Sequence, residues 1–371
     1  MSIASPQIPA EGLPTASPAL HISSADRGAF LAYSLILVYA SLKPFAGWRL
    51  PDAFTFLSWP RYIIAFDVLI NVVAYLPFAA MLATFLDARK RPGWYPAYKV
   101  WWHTVLISAF LSLSFELLQS LLPGRISSVL DLLANATGAA LGATLVLAAP
   151  GKRLLAHYRH WRQTHFFTTT EVDWGLILVV AWIVAQSNPA IPFFEAGHIV
   201  EPLTASAAHP YDPLILLPQA IGIMLNVCGF ALFVALLMRP GRFVMFNIML
   251  LLASGFALKV VMAALMLKAP QLIDWLAPAR VIGVVAGFLL ALFFVRVSKR
   301  WRILSATLFV FAGGLMAKIT SVYGAFNETL RLFNWPHGQL VNFTNITLWL
   351  HETWPLFAVL FLAWLFVTHH E

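Results

Sequence analysis

Apolar runs as long as a bilayer is thick constrain this chain more than any motif does. Val244 to Leu267 and Ile303 to Ala317 approach or exceed the ~20 residues that cross ~30 Å of hydrocarbon. Lipid offers backbone amides no partner, so a crossing segment must bond itself as a helix or join a closed barrel. No stretch alternates apolar and polar residues as barrel strands do. The expected fold is therefore all-α, a polytopic transmembrane helix bundle. Composition supports it: 60% hydrophobic and 11% charged residues, with a mean hydropathy of +0.78, lie far from soluble averages.

Turn signals divide the runs into about ten helices, at 28–43, 63–86, 101–122, 129–149, 174–192, 214–238, 243–267, 279–296, 302–320 and 347–368. Lysine and arginine accumulate in cytoplasmic loops. Here every even-to-odd connection is basic: Arg89 to Lys99, Lys152 to Arg162, Arg239 with Arg242, and Arg296 to Arg302. With Arg27, that face collects 15 of the 24 basic residues, against 7 in the opposite connections. Both termini are expected on the cytoplasmic side of a plasma (inner) membrane. The same topology accounts for the net charge of +8. No basic stripe with interleaved aromatics points to a nucleic-acid partner. Residues 1–27, rich in Pro, Ser and Ala, lack the apolar run of a signal peptide and are expected to form a disordered cytoplasmic tail. Cys228, the one cysteine, lies in an apolar run and reads as a small buried residue.

An internal echo divides the chain further. Tyr33-Ser-Leu-Ile-Leu-Val matches Trp174-Gly-Leu-Ile-Leu-Val, Leu69-Ile70-Asn71-Val72 matches Met224-Leu225-Asn226-Val227, and Asp131-Leu-Leu-Ala-Asn135 resembles Asp274-Trp-Leu-Ala-Pro278. Four helices separate the copies, and an even number preserves orientation, so a parallel 4+4 repeat plus two C-terminal helices is expected. The domains follow: a four-helix membrane domain at 28–150, a basic cytoplasmic linker at 151–173, a degenerate second copy at 174–298, and two C-terminal transmembrane helices at 299–371. The second copy lacks most of the polar residues of the first. Gly222 stands for Asp67, and Pro278 for Asn135.

Those polar residues are the chemically informative part. Asp67-x-x-x-Asn71, Ser114-x-Glu116-x-x-Gln119, Pro123-Gly124-Arg125 and Asp131-x-x-x-Asn135-x-x-Gly138-x-x-x-Gly142 lie in or beside membrane-length runs, where ionisable groups are costly and mark function. The i, i+4 and i, i+3 spacings project each pair from one helix face. The expected topology gives all of them one depth, in the outer half. Three carboxylates face one arginine, or two if Arg61 turns in, which leaves negative charge for a proton, a cationic group or a metal. The plainer use is a clasp in which Arg125 bridges Glu116 and Asp131. Gly138 and Gly142 read as close helix packing, and Pro77 as a kink.

In this order the residues resemble the VanZ family, over about residues 30–150. The resemblance implies a small integral membrane domain of the cell envelope. Through the founding member it also implies an association with resistance to the glycopeptide antibiotic teicoplanin, and it implies no reaction. Family members often carry an aspartate shortly after the arginine, where this chain has Ser127 and Ser128.

The expected function is binding of a membrane lipid or lipid-linked amphiphile at the outer leaflet by Asp67, Asn71, Glu116, Gln119, Arg125, Asp131 and Asn135, in the service of envelope assembly. Another copy of the chain or an envelope-assembly protein is the expected protein partner. The alternatives are a lipid-modifying enzyme with a carboxyl as general base, and a proton-coupled transporter. No phosphate-binding loop, dinucleotide glycine pattern or serine elbow occurs, so no cofactor is implied. Glu195, His198, Glu201, His209 and Asp212 carry metal-binding donors but read as an outer loop, and no metal is expected. Lys259 and Lys318 are expected to snorkel or to find an internal partner. Asn327, Asn342 and Asn345 open glycosylation patterns.

Overall fold

The computed structural model describes residues 24–43, 45–50, 57–63, 65–89, 96–122, 125, 127–188, 213–241, 243–266, 278–320 and 339–368. Among them every regular element is a helix: α1 Ser24–Leu42, α2 Ala65–Arg89, α3 Ala97–Gln119, α4 Val129–Leu147, α5 Ala149–His165, α6 Thr170–Ala185, α7 Pro213–Leu237, α8 Val244–Met266, α9 Pro278–Phe294, α10 Lys299–Thr320 and α11 Gln339–Thr368. Each expected apolar run holds one of them. The additional helix is α5, where the sequence suggested a linker. Its residues are polar and basic, so no apolar run announces it. Ala148 ends α4 and begins α5, and a Cβ on Gly151 would fall 1.3 Å from Leu145 O. Only glycine fits so tight a turn.

Six helices, in α2, α3, α4, α7, α8 and α11, are long and apolar enough to cross a bilayer. The 16 residues of α6 and 17 of α9 extend ~24 and ~26 Å at 1.5 Å per residue, short of ~30 Å. Their surroundings are arranged for lipid. On α3 the buried face carries Thr104, Ser108, Ser112, Glu116 and Gln119, while Trp102, Leu106, Phe110 and Leu117 point outward. A helix in water would show the reverse pattern.

The N-terminal unit is built on a backbone contact. α2 and α4 run parallel, with Gly138 against Val72 and Gly142 against Leu76; a Cβ on either glycine would sit 2.2 Å from the facing carbonyl oxygen. α3 runs antiparallel to α4, joined near one end by Trp101 Nε1 to Thr144 Oγ1 at 2.9 Å and near the other by Asn135 Nδ2 to Ser112 Oγ at 2.9 Å. α1 closes the unit, its Tyr33 hydroxyl donating to Ala74 O at 2.8 Å.

The C-terminal unit wraps α7, which is apolar all round and therefore becomes a core helix. Trp182 of α6 stacks on Phe230 at 4.0 Å, and Trp354 of α11 donates to Leu178 O at 2.8 Å. The pairings α1–α2, α1–α3, α2–α3 and α2–α4 recur as α6–α7, α6–α8, α7–α8 and α7–α9. α9 also lies parallel to α7 on two glycines, with Gly283 against Ala220 and Ile223 and Gly287 against Met224 and Val227. Among the described residues α8 and α9 do not repeat the extensive α3–α4 packing, and α10 lies on α7 instead.

The basic segments gather at one end of the molecule. The α5–α6 turn meets the end of α7 through Arg239 N to His165 O at 2.8 Å and Arg239 Nε to Phe166 O at 3.0 Å. Arg162 pairs with Asp173 there, and Trp161 donates to Asn247 Oδ1 at 2.9 Å. Gly28, near the start of α1, faces the Trp174 ring at the start of α6. Arg300 lies over Phe366, near the end of α11, at 5.5 Å. The first described helix begins at this end, and the last one finishes there.

The α2–α4 contact can be tested by thermal unfolding in detergent. Alanine gains ~1 kcal/mol over glycine in helix propensity, yet Gly138→Ala forces a methyl into the Val72 carbonyl and is expected to lose ~1–3 kcal/mol net. Gly241→Ala, with nothing within 4 Å of the new methyl, should melt like the wild type. Equal melting of all three would mean that the backbones are not in contact.

Candidate functional site

Parallel packing of α2 and α4 aligns their first turns. Asp67 and Asp131 are each the third residue of their helix, and Asn71 and Asn135 each stand one turn further in. Asp131 lies close enough to feel the charge of Asp67, and the Asn71 side chain lies beside its carboxyl. α3 arrives at the same place with its C-terminal turns, bringing Ser112, Glu116 and Gln119.

The α3–α4 connection is fixed by a capping arrangement with an outside participant. Ser128 caps α4, its hydroxyl accepting from Leu130 N at 3.1 Å and Asp131 N at 3.4 Å. In an ordinary capping box the acidic residue at the third helical position would accept the cap's own N–H. Here the Ser128 N–H goes to Glu116 Oε2 of α3, at 2.8 Å. Glu116 is 3% exposed, so this buried bond ties α3 to the start of α4. Neither Asp131 nor Asp67 has an ion pair within 4.0 Å among the described residues.

Arg125 does not perform the expected bridge. Its Nη2 donates to Ala40 O at 3.2 Å and Lys43 O at 3.4 Å, the carbonyls at the end of α1. Gln119 Nε2 likewise donates to Ser41 O at 2.9 Å. A helix C-terminus carries orphan carbonyls and partial negative charge, and a guanidinium satisfies both. Burial draws the Arg125 pKa below its ordinary value, while Asp131 and Glu116 act to raise it. Arg61 is exposed. Pro123 and Gly124 lie outside the described residues.

The α1–α2 connection is laced over the same end. Ser58 N donates to Ser127 O at 3.1 Å, Val129 N to Ser58 O at 3.2 Å, and Leu57 N to Ser127 Oγ at 3.3 Å. Ser127 and Ser128, which stand near a frequent family aspartate, thus serve the closure of the site.

Inside this enclosure several polar atoms have no hydrogen-bond partner within 3.5 Å among the described residues: Asn71 Nδ2, Tyr75 Oη and Asn135 Oδ1. Tyr75 is 3% exposed and Asn135 8%. The Tyr75 hydroxyl lies near Ser112 and Glu116. Sequence reasoning missed Tyr75, Ser112, Ser127 and Ser128. Tyr75 continues the Asn71 face by one turn, Ser112 precedes Glu116 by one turn, and Ser128-x-x-Asp131 is a cap signature; each spacing was open to reading.

Residues 18–150 match the VanZ/LLP1 family model. This stretch is a VanZ-like domain. It spans just over a third of the chain and ends at the α4–α5 turn. With six helices long and apolar enough to span, the protein is a multi-pass membrane protein. No curated protein and no solved structure matches the chain.

Other candidates fall away from the VanZ-like site. Among the described residues no group of three His, Cys, Asp or Glu side chains could hold a metal. Residues 195–212 and Asn327 lie outside the described residues, as does the Lys318 side chain; Asn342 and Asn345 fall within α11. Lys259, 1% exposed, has an internal partner: its Nζ donates to Asn188 O at 2.8 Å.

The tie between α3 and α4 gives a graded expectation for unfolding in detergent. Ser128→Ala should cost ~1 kcal/mol as a lost cap. Glu116→Ala should cost more, ~1–3 kcal/mol, because it strands a buried N–H. Glu116→Gln keeps an acceptor and should fall closest to the wild type. If Glu116→Ala proves milder than Ser128→Ala, the bond is not what holds the two helices.

Proposed function

We propose that the VanZ-like domain binds the polar headgroup of a membrane lipid or lipid-linked amphiphile at the outer leaflet, through Asp67, Asn71, Glu116, Asp131 and Asn135. Arg125 and Gln119 hold α1 against the site rather than touching the ligand. The observation that carries this reading is the pair of half-buried carboxylates, Asp67 and Asp131, near each other and without an ion pair among the described residues, next to buried polar atoms that lack partners there. Four helix ends meet here, the starts of α2 and α4 and the ends of α1 and α3, so their dipoles offset in pairs. The carboxylate charge is left for something else. An ammonium or a group of hydroxyls would supply donors to Asp67 and Asp131, while Asn71, Tyr75 and Asn135 complete their own bonding on it.

In this reading the basic end faces the cytoplasm, with both termini there, and the site opens to the outside, where envelope material is sequestered, presented or assembled. An association with glycopeptide resistance is implied by the family resemblance alone. The recurring pairings around α7 support reading residues 174–298 as a degenerate second copy that closes the bundle.

Native mass spectrometry with lipid identification in mild detergent tests the binding. The wild type should retain an amphiphile, and the near-isosteric Asp67→Asn and Asp131→Asn variants should retain about tenfold less, the equivalent of ~1.4 kcal/mol, while melting within a few degrees of it. Equal retention by all three, or an empty wild type, would sink the proposal.

A further inference from the structure

A second polar feature lies at the opposite, basic end, in the C-terminal unit and away from the VanZ-like domain. The end of α7, the turn at Pro240 and Gly241, the start of α8, the end of α9 and the start of α10 surround a cavity of about 350 Å³. Its walls mix polar groups with apolar side chains, Met238, Met245, Leu292 and Val295 among them. Among the described residues its charged lining is Arg296 and Arg302, and α7, α8, α9 and α10 contain no Asp or Glu.

Arg302 is held in a particular pose. Its Nη2 donates to Val297 O at 3.1 Å, which anchors the guanidinium on the α9–α10 turn. Its Nε is buried and has no hydrogen-bond partner. A buried donor left unpaired is unfavourable, and a planar guanidinium presents its remaining N–H groups as a fork suited to phosphate oxygens. Arg296 is exposed and stands at the rim as a second positive charge. Two arginines beside apolar side chains in one cavity, at the end of the bundle where basic residues gather, match a ligand with an anionic phosphate at one end and hydrocarbon at the other.

We infer that this cavity is an anionic-phosphate site, occupied by the headgroup of an acidic phospholipid from the leaflet at the basic end, with Arg302 as the phosphate ligand and Arg296 at its mouth. A volume of this size, near the lower limit for ligand pockets, takes a phosphoglycerol headgroup and the first carbons of its chains. A zwitterionic lipid is disfavoured because its cationic group would face Arg296.

The test uses the full chain in mild detergent, with phosphatidylglycerol, phosphatidylcholine and inorganic phosphate as probes, read by native mass spectrometry and thermal shift. The wild type should hold phosphatidylglycerol about tenfold better than phosphatidylcholine, a difference typical of one or two charge-assisted bonds. Arg302→Gln and Arg296→Gln should each reduce that preference, Arg302→Gln the more. Met245→Trp, which fills the cavity and leaves both arginines in place, should abolish it, and this variant carries the test if Arg302→Gln does not fold. Lys152→Gln, on exposed α5 outside the cavity lining, should leave the preference unchanged, which separates the cavity from the general positive charge of the basic end. Stabilisation by millimolar inorganic phosphate that displaces the lipid would keep the phosphate site but replace the lipid headgroup with a free anion. No preference in the wild type together with no response to phosphate, or a preference that survives both Arg296→Gln and Met245→Trp, would overturn the inference.

Discussion

The direct contact between the backbones of α2 and α4 governs how the rest of the N-terminal unit is arranged. In lipid there is no hydrophobic gain in bringing two apolar helices together, so association depends on close packing and on polar groups that meet inside. Gly138 and Gly142 allow the first, because any larger residue would strike the carbonyls of Val72 and Leu76. The second follows from direction. Since the helices are parallel, their first turns lie side by side, and two acidic residues at matching positions share one space. A larger residue at Gly138 would move Asp67 away from Asp131 without altering either.

Around that pair, the nearby cation and the Gln119 amide are assigned elsewhere. The guanidinium of Arg125 and the amide of Gln119 serve the end of α1, and the Glu116 carboxylate serves the start of α4. Each of these links joins one helix end to another element, which matters where backbone groups cannot turn to water. What is left over is acidic and enclosed.

Much of this was legible in the sequence, for identifiable reasons. The helices follow from apolar runs, and α5 was the one overlooked because its Lys152, Arg153 and Arg159 conceal it from any search by hydropathy. Asp67, Asn71, Glu116, Asp131 and Asn135 stand out because polar groups in apolar runs are rare, and parity of crossings places them at one end. Arg125 was legible as a participant but not in its role, since its partners are main-chain carbonyls, which carry no sequence signal. Ser128 announces a cap, whereas the acceptor of its own N–H lies 12 residues back on another helix. The internal echo and the helix contacts do not select the same register. Setting Asp131 against Asp274 places Gly138 opposite Val281, while the residues that touch α7 are Gly283 and Gly287, whose spacing repeats that of Gly138 and Gly142.

The hydroxyl stripe on α3 has a further consequence, for what can pass through the domain. Thr104, Ser108, Ser112 and Glu116 stand four residues apart, ~6 Å per step along the axis, and so reach from the acidic end deep into the bundle. A chain of hydroxyls conducts protons only if each can release its own to the next. Thr104 donates to Val100 O at 2.8 Å and Ser108 to Thr104 O at 2.8 Å, so both protons are held by carbonyls of their own helix. The stripe is polar enough to pack α3 against its neighbours, but with those protons held by its own carbonyls it forms no continuous wire from the acidic end.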